Sequence, residues 1–441
     1  MYKEKFIRLI KDKGVVGGGG GGFPTYAKFS FDNLTTLIIN GAECEPLLYS
    51  DYFLFSKRNE EIVVVLDKIQ EIFNFEEIYI VLKEKRRDLI QYLQKAGIKG
   101  IKNLHFYLMR DVYPAGDEQI IIKSIKGLTL PPFTPPGEKG FVVINTQTLL
   151  YIYEAIIKNQ PTMRRFITVS GYVKTPLVVD VPIGTKVKDL IQLTGGYTTK
   201  KPVIFAGGLL MGNLVGESYS IKKTTTGIVV IPENSKVLFE KKHTADFFSK
   251  LSKSVCDQCM ECTFFCSRNI IGKKLSPHLI MRNSSKLLSG KLEIPTEILN
   301  CSECGLCYVY SCPLGLSPRK VIRSLKKKVK RRNLKNCETQ ISEPLIYLPT
   351  SEKIKKRLEI DLIDRIPEFY GVYTPQRVSM DLNQGKGKSP KIFIKEGDFV
   401  FEGEKIGEVS EEDLGTPIHS PINGMVFSIS ENKIHIERDT F

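Results

Sequence analysis

At 441 residues the chain is too long for one ordinary domain, and three or four compact units are expected. Hydrophobic residues at 42% and charged residues at 26% exclude a disordered or fibrous chain, and no apolar run reaches the roughly 18 residues of a membrane span. The formal net charge of +15 invites a nucleic-acid reading, but no recognisable binding motif accompanies the charge.

Met1–Lys13 is charged throughout and lacks the apolar core of a signal peptide, so a cytoplasmic protein is expected, docked at most peripherally. Val15-Val16 then leads into six glycines, Gly17–Gly22, followed by Phe23-Pro-Thr-Tyr-Ala-Lys28. Gly17, Gly19 and Gly22 satisfy the dinucleotide fingerprint in form, but a hexaglycine satisfies almost any glycine pattern and also suits a flexible linker. The residues downstream argue against the linker. Leu37-Ile-Ile39 reads as a buried strand ending at Asn40-Gly-Ala-Glu43-Cys-Glu45-Pro46. A helical pattern over 60–73 and a strand over 78–82 continue an alternating α/β order. Glycines ahead of a helix let backbone N–H groups approach a phosphate, and carboxylates at strand ends sit where such folds bind ligands.

Eight of the ten cysteines fall within 57 residues, which points to metal rather than disulfides. One run is Cys256-Asp-Gln-Cys259-Met-Glu-Cys262-Thr-Phe-Phe-Cys266; the other is Cys301-Ser-Glu-Cys304-Gly-Leu-Cys307-Tyr-Val-Tyr-Ser-Cys312. Structural zinc uses pairs of ligands, often with histidine, and neither run contains one. Thiolates at every third residue can reach three irons of one cubane, and the fourth ligand comes from farther off. In two-cluster ferredoxins the fourth cysteine of each run serves the other cluster. On that pattern Cys256, Cys259, Cys262 and Cys312 hold one [4Fe-4S] cluster, and Cys301, Cys304, Cys307 and Cys266 hold the second. Cys44 and Cys337 remain as free thiols, and His105, His243, His278, His419 and His435 are scattered and read as structural.

Arg319–Lys335 carries ten basic residues and no acid, which reads as a solvated helix face or a surface for an acidic partner or an anionic membrane. Val378–Glu437 is rich in short strands with turn signals at 395–398, 403–407 and 418–424.

Four segments in order, Gly17–Lys28, Asn40–Pro46, Tyr113-Pro-Ala-Gly-Asp-Glu118 and Asn145-Thr-Gln-Thr148, resemble the FMN- and NADH-binding segments of the flavin subunit of respiratory complex I. They are more similar still to those of the RnfC component of Rnf complexes. Val169-Ser-Gly171 through Asp180-Val-Pro-Ile-Gly184 to Gly208 resembles a soluble-ligand-binding β-grasp (SLBB) domain. Cys266–Gly272, Pro277-His-Leu279 and Leu316-Ser-Pro-Arg319 resemble the cluster domain of the propanediol-utilisation cobalamin reductase family. The C-terminal stretch resembles a barrel-sandwich hybrid. That module comes first in RnfC and last here, as in the cobalamin reductase and the electron-transfer protein associated with D-proline reductase. No methionine–lysine tip marks its hairpin, so an interaction role is expected rather than a swinging arm.

The resemblance implies a multidomain α/β protein. It comprises a Rossmann-like FMN/NADH-binding domain (1–160), an SLBB domain (161–240), an α-helical two-cluster ferredoxin-like domain (241–336), a linker (337–372) and a barrel-sandwich hybrid (373–441). It further implies that Gly17, Gly18, Gly19, Gly20, Gly22 and Lys28 cradle the FMN phosphate and that Asn40, Glu43, Asn145 and Thr148 line the flavin. Glu45, Asp117 and Glu118, with Gly116 beside them, would face NADH. Ala42 stands where complex I has aspartate and Gly18 where it has arginine. The implied activity is NADH oxidation with single electrons passed to an acidic acceptor protein or a corrinoid enzyme system, with no catalytic acid or base. The alternatives are a peripheral subunit of a membrane Rnf-type complex and a conduit without flavin. Association with a membrane complex or a bacterial microcompartment fits this reading; binding of nucleic acid does not.

Overall fold

The computed structural model describes residues 1–132, 134–329 and 345–439. Four parallel strands, β1 (Thr36–Asn40), β2 (Glu77–Lys83), β3 (Leu104–Met109) and β4 (Phe141–Asn145), form the first sheet in the order β3-β2-β1-β4. Leu37, Ile38 and Ile39 are all fully buried, because a parallel sheet is covered on both faces and its central strand needs a continuous apolar run. Helix Asn59–Phe73 turns Ile62, Val65, Leu66 and Ile69 into one of those faces at helical spacing and ends at Asn74 in the left-handed conformation.

The second sheet holds β5 (Arg164–Gly171), β6 (Leu177–Pro182), β7 (Pro202–Ala206), β8 (Asn213–Val215), β9 (Gly227–Pro232) and β10 (Glu368–Val372) in the order β10-β6-β5-β9-β7-β8. Strand β10 comes from the stretch read as a linker. It pairs in parallel with β6 and stacks Phe369 on Phe53 at 5.5 Å. The same stretch carries helix Ser351–Leu358, whose Ile354 and Leu358 enter the core beneath β2. A linker reading rests on local polarity, whereas these residues are ordered by sheet-edge pairing and by a two-residue apolar stripe.

Short helices build the cysteine region, with Phe248, Leu275, Ile280, Leu287, Val321, Ile322 and Leu325 at their centre and Cys256, Cys266, Cys301 and Cys312 packed against it. Helix Pro318–Lys326 buries Val321, Ile322 and Leu325 and leaves Arg323 exposed. Arg319 departs from a solvated basic face: it is 6% exposed and ion-paired with the fully buried Glu240. Lys330–Lys335 and Cys337 lie outside the described residues.

The C-terminal unit packs two small sheets. One contains β11 (Arg377–Asp381), β13 (Phe399–Val400), β16 (Gly424–Ser430) and β17 (Lys433–Arg438), and the other β12 (Lys391–Ile392), β14 (Lys405–Glu408) and β15 (Ile418–His419). Ile183 of the β-grasp unit is part of their shared core.

One apolar cluster joins three of these units. It takes Ile38, Val81 and Val143 from the first sheet, Phe205, Val229 and Ile231 from the second, and Ile270, Leu306 and Val309 from the cysteine region. Truncating one such side chain typically costs about 2–5 kcal/mol, so the units are held at a fixed separation by packing as well as by the chain.

Candidate active site and cysteine clusters

The carboxyl ends of β1 and β4 open onto a cleft of about 570 Å³ between the first two sheets. All fourteen residues expected to hold a cofactor line it: Gly17, Gly18, Gly19, Gly20, Gly22, Lys28, Asn40, Glu43, Glu45, Gly116, Asp117, Glu118, Asn145 and Thr148. The glycine run is a closed loop, with Gly17 N bonded to Phe23 O at 2.9 Å and Gly22 N to Gly17 O at 3.1 Å. Gly18 N donates to Thr148 Oγ1 at 2.8 Å. A Cβ on Gly18 would lie 2.8 Å from Gln147 Cγ, so only glycine lets the loop close on the start of helix Thr146–Ile156. The amides of Gly19, Gly20 and Gly21 bond to no protein group among the described residues.

Lys28 Nζ donates to Val143 O at 2.7 Å and to Glu118 Oε1 at 3.2 Å, and the two side chains are 27% and 35% exposed. A pair so open to water is worth about 0–1 kcal/mol and yields easily to a stronger anion. Asn145 Nδ2 donates to Asp51 Oδ2 at 3.0 Å, while its Oδ1 caps the following helix through Gln147 N at 2.9 Å. Asn40 bridges two cleft segments, donating to Gly116 O at 2.9 Å and accepting from Ala42 N at 3.2 Å.

The four carboxylates have different partners. Glu43 Oε1 accepts Ser50 N at 3.0 Å at the start of helix Ser50–Lys57, beside Asp51. Burial raises the pKa of both acids, and the Asp51 charge raises Glu43 further, so the pair favours holding a proton. Glu45 reaches the β-grasp unit instead, where Oε2 accepts Leu210 N at 3.0 Å and Oε1 accepts Met211 N at 2.8 Å. Asp117 caps helix Glu118–Lys126 through Gln119 N and places Oδ2 2.8 Å from Arg268 Nη2 in the cysteine region. Glu118 is left as the half-exposed partner of Lys28.

Both cysteine loops share one backbone device. Gln258 and Met260 flank Cys259 at φ 59° and 67°, and Glu303 and Gly305 flank Cys304 at φ 62° and 86°. Left-handed residues on either side of the middle cysteine curl each loop around its thiols. Cys256, Cys259, Cys262 and Cys312 line a single cavity, joined by His278. Cys266 lies beside Cys301 and Cys304, and Cys307 lies beside the same two. The last cysteine of each run therefore lies with the other run. Burial pushes the Cys262 and Cys266 thiols up to about 12 and Cys301 up to about 11, so they are protonated unless a metal takes the proton's place. Glu303 N and Leu316 N each donate to a cysteine sulfur, Cys301 and Cys312 respectively, at 3.3 Å.

The two sites touch. Ser302 and Cys304, from the second cysteine loop, line the same cleft as the glycine loop, whereas Cys259 of the first group is exposed to solvent. Sequence reasoning missed Asp51, Gln147, Arg165 and Thr224–Thr226, which also line the cleft. Asp51 follows the Asn40–Pro46 segment closely and is a locatable acid. The 2% exposed Arg165, which donates to Gly18 O at 3.1 Å, carries no local signal.

Residues 10–154 match the family model described as the Nuo51 FMN-binding domain, 166–213 the SLBB domain, 255–317 a 4Fe-4S dicluster domain, and 369–440 the RnfC barrel sandwich hybrid domain. The cleft, the cysteine loops and these four matches define a flavin and iron–sulfur electron-transfer oxidoreductase. The chain is 32% identical over 445 residues to the cobalamin reductase PduS of Citrobacter freundii, covering 99% of this chain and 98% of that protein. PduS of Salmonella typhimurium is also 32% identical, over 456 residues. The chain belongs to the RnfC-like family that includes these cobalamin reductases. The corresponding component of the Na(+)-translocating ferredoxin:NAD(+) oxidoreductase complex of Acetobacterium woodii is 28% identical over 270 residues, 60% of this chain and 58% of its own length. A crystal structure of an NAD+-reducing [NiFe]-hydrogenase in the H2-reduced state shares the fold at a TM-score of 0.50 and 17% identity. The match covers 75% of this chain and 64% of that one. No helix among the described residues is long and apolar enough to cross a membrane.

Proposed function

We propose that the cleft binds FMN and accepts NADH, and that two four-iron clusters carry electrons from the flavin to an acceptor outside the chain. The observation that carries this reading is the shared wall: Ser302 and Cys304 border the same cavity as the glycine loop. An electron donor in that cavity lies against the cluster held by Cys266, Cys301, Cys304 and Cys307. The group built on Cys256, Cys259, Cys262 and Cys312 then forms the exit, since Cys259 is exposed.

The residues present fit a phosphorylated flavin. The unpaired amides of Gly19–Gly21 suit an anion, and Thr25 Oγ1 and Gln147 Nε2 are buried polar atoms with no partner among the described residues, both on the cleft wall. Bound FMN supplies the exchange between a two-electron hydride and single electrons, which clusters require. The chain holds the loop through Thr148 and Arg165, keeps a proton available on Glu43 and Asp51, and fixes the flavin-to-cluster distance through Asp117 and Arg268. The N–H groups on Cys301 and Cys312 tune the clusters.

As acceptor the reading takes a corrinoid cofactor or its partner protein, because the full-length matches are with cobalamin reductases. The protein then works in the cytoplasm, in a microcompartment or docked on a partner. Membership in a membrane Rnf complex is less supported, since those matches cover 52–79% of the chain against 99% for the cobalamin reductases. The test is cofactor content of the anaerobically purified chain. The reading predicts one FMN and about eight irons per chain, the iron of two four-iron clusters; clusters without FMN would leave only an electron conduit.

A further inference from the structure

The glycine loop is half of a pocket. Opposite it runs the turn Lys223-Thr-Thr-Thr226 of the β-grasp unit, and Thr224, Thr225 and Thr226 line the cleft. Thr224 Cγ2 lies 2.8 Å from where a Cβ on Gly22 would stand, and Thr226 Cγ2 lies 3.9 Å from that of Gly20. The Thr225 hydroxyl is used locally, accepting Lys222 N at 3.0 Å. The hydroxyls of Thr224 and Thr226 bond to no group among the described residues.

This turn is unusually well anchored for a surface connection. Lys223 O accepts from Arg165 Nη1 and from Tyr151 Oη, Lys223 N donates to Gln384 Oε1 at 3.0 Å, and Lys223 Nζ donates to Gly14 O at 2.7 Å. Ser50 Oγ donates to Thr226 O at 3.2 Å. The C-terminal unit braces the glycine loop from outside as well, with Lys386 N bonded to Gly22 O at 2.7 Å. Three units thus converge on a space lined by the Gly19–Gly21 loop and by Thr224 and Thr226, whose methyls pack toward the glycines. The loop amides and the two hydroxyls have no partner among the described residues.

We propose that Thr224 and Thr226 are flavin-phosphate ligands: the phosphate is clamped between the Gly19–Gly21 amides and these two hydroxyls, with the C-terminal unit holding the clamp shut. This rests on the FMN reading and adds ligands to it. It also gives the barrel-sandwich unit a structural duty at the cofactor site, since Gly385 packs directly on Gly22.

The experiment compares FMN with riboflavin, which lacks the phosphate, by fluorescence quenching on the flavin-free full-length chain with clusters intact. Thr224→Val/Thr226→Val, which keeps shape and removes both hydroxyls, should weaken FMN binding about tenfold or more and leave riboflavin unchanged. Thr224→Ser/Thr226→Ser should bind both flavins as wild type does. Gly385→Ala puts a methyl 2.6 Å from Gly22 O and should also lower the preference for FMN by displacing the glycine loop from outside the cleft. Unchanged FMN affinity in the valine variant, or equal loss for both flavins, overturns the proposal. A wild-type chain that binds neither flavin overturns the FMN reading itself, and the clamp with it.

Discussion

Arg268 Nη2 lies 2.8 Å from Asp117 Oδ2, with side chains only 13% and 10% exposed, and this pair pins the cysteine region to the cleft-forming unit. Arg268 stands two residues after Cys266 and Asp117 one residue after Gly116 on the cleft wall, so the bond spans the path between the two sites. The two halves of the pair are not equivalent. Arg268 Nε and Nη1 have no partner among the described residues, whereas Asp117 also caps a helix. Asp117→Ala strands the guanidinium and removes the cap, and should cost about 3–5 kcal/mol in chemical unfolding. Arg268→Met leaves the cap intact and should cost less, about 2 kcal/mol. Both should slow cluster reduction in rapid-mixing experiments; equal costs would contradict the asymmetry.

Cys312→Ala should remove the cluster built on Cys256, Cys259 and Cys262, although it belongs to the other cysteine run. About half of the iron should be lost, and the cluster beside the cleft should still be reducible. Cys266→Ala should do the reverse, sparing the exposed cluster and cutting it off from the flavin. Iron analysis with electron paramagnetic resonance separates the two; loss of the Cys301 group in Cys312→Ala would refute the exchange of fourth ligands.

Burial, with the Asp51 charge beside it, pushes the Glu43 carboxyl up to about 8, against the pull of Arg86 and the Ser50 and Asp51 amides. The folded chain then binds this proton more tightly than the unfolded chain does. Stability falls as pH rises from the ordinary carboxylate range to about 8. Relative to Glu43→Gln, flavin-free wild type should lose up to about 1.4 kcal/mol per pH unit over that window. Unfolding titrations at several pH values measure the difference, which should be flat above the window; a pH-independent difference would mean that Glu43 ionises normally.

Glu45, on the cleft wall, accepts two amides of the Gly207–Gly212 loop with its carboxylate. Gly208 is so close that a Cβ there would overlap the carboxylate. Lys241 and Arg319 hold the same loop through Leu210 O. Glu45→Ala should therefore destabilise the fold by about 1–3 kcal/mol, the cost of leaving the buried Leu210 amide unpaired; the Met211 amide can turn to water. Glu45→Gln, with one acceptor oxygen left, should be milder. Thermal unfolding of the two variants decides whether Glu45 acts as a strap.

Those features that local chemistry dictates are legible from the residue order. The buried run at Leu37–Ile39, the glycine loop and the cysteine spacing each announce themselves within a few residues, because strand burial, phosphate approach and cubane ligation impose short-range patterns. The missed features arise from tertiary placement. Arg165 reads as an ordinary strand residue until β5 lies across the glycine loop. The threonine turn means little before Gly22 faces it, and residues 345–372 look like a linker because their order comes from pairing with β6 and from packing under β2. Arg319 reads as part of a solvated basic run because Glu240, its partner, is 79 residues away.

The most direct test of the account is an anaerobic NADH titration of the chain carrying FMN and both clusters, followed by flavin absorbance and electron paramagnetic resonance together. The flavin band should bleach, and cluster signals should grow with it. The signal lost in Cys266→Ala should rise first and the one lost in Cys312→Ala second. Clusters that chemical reductant reduces but NADH leaves untouched, with FMN bound, would contradict it.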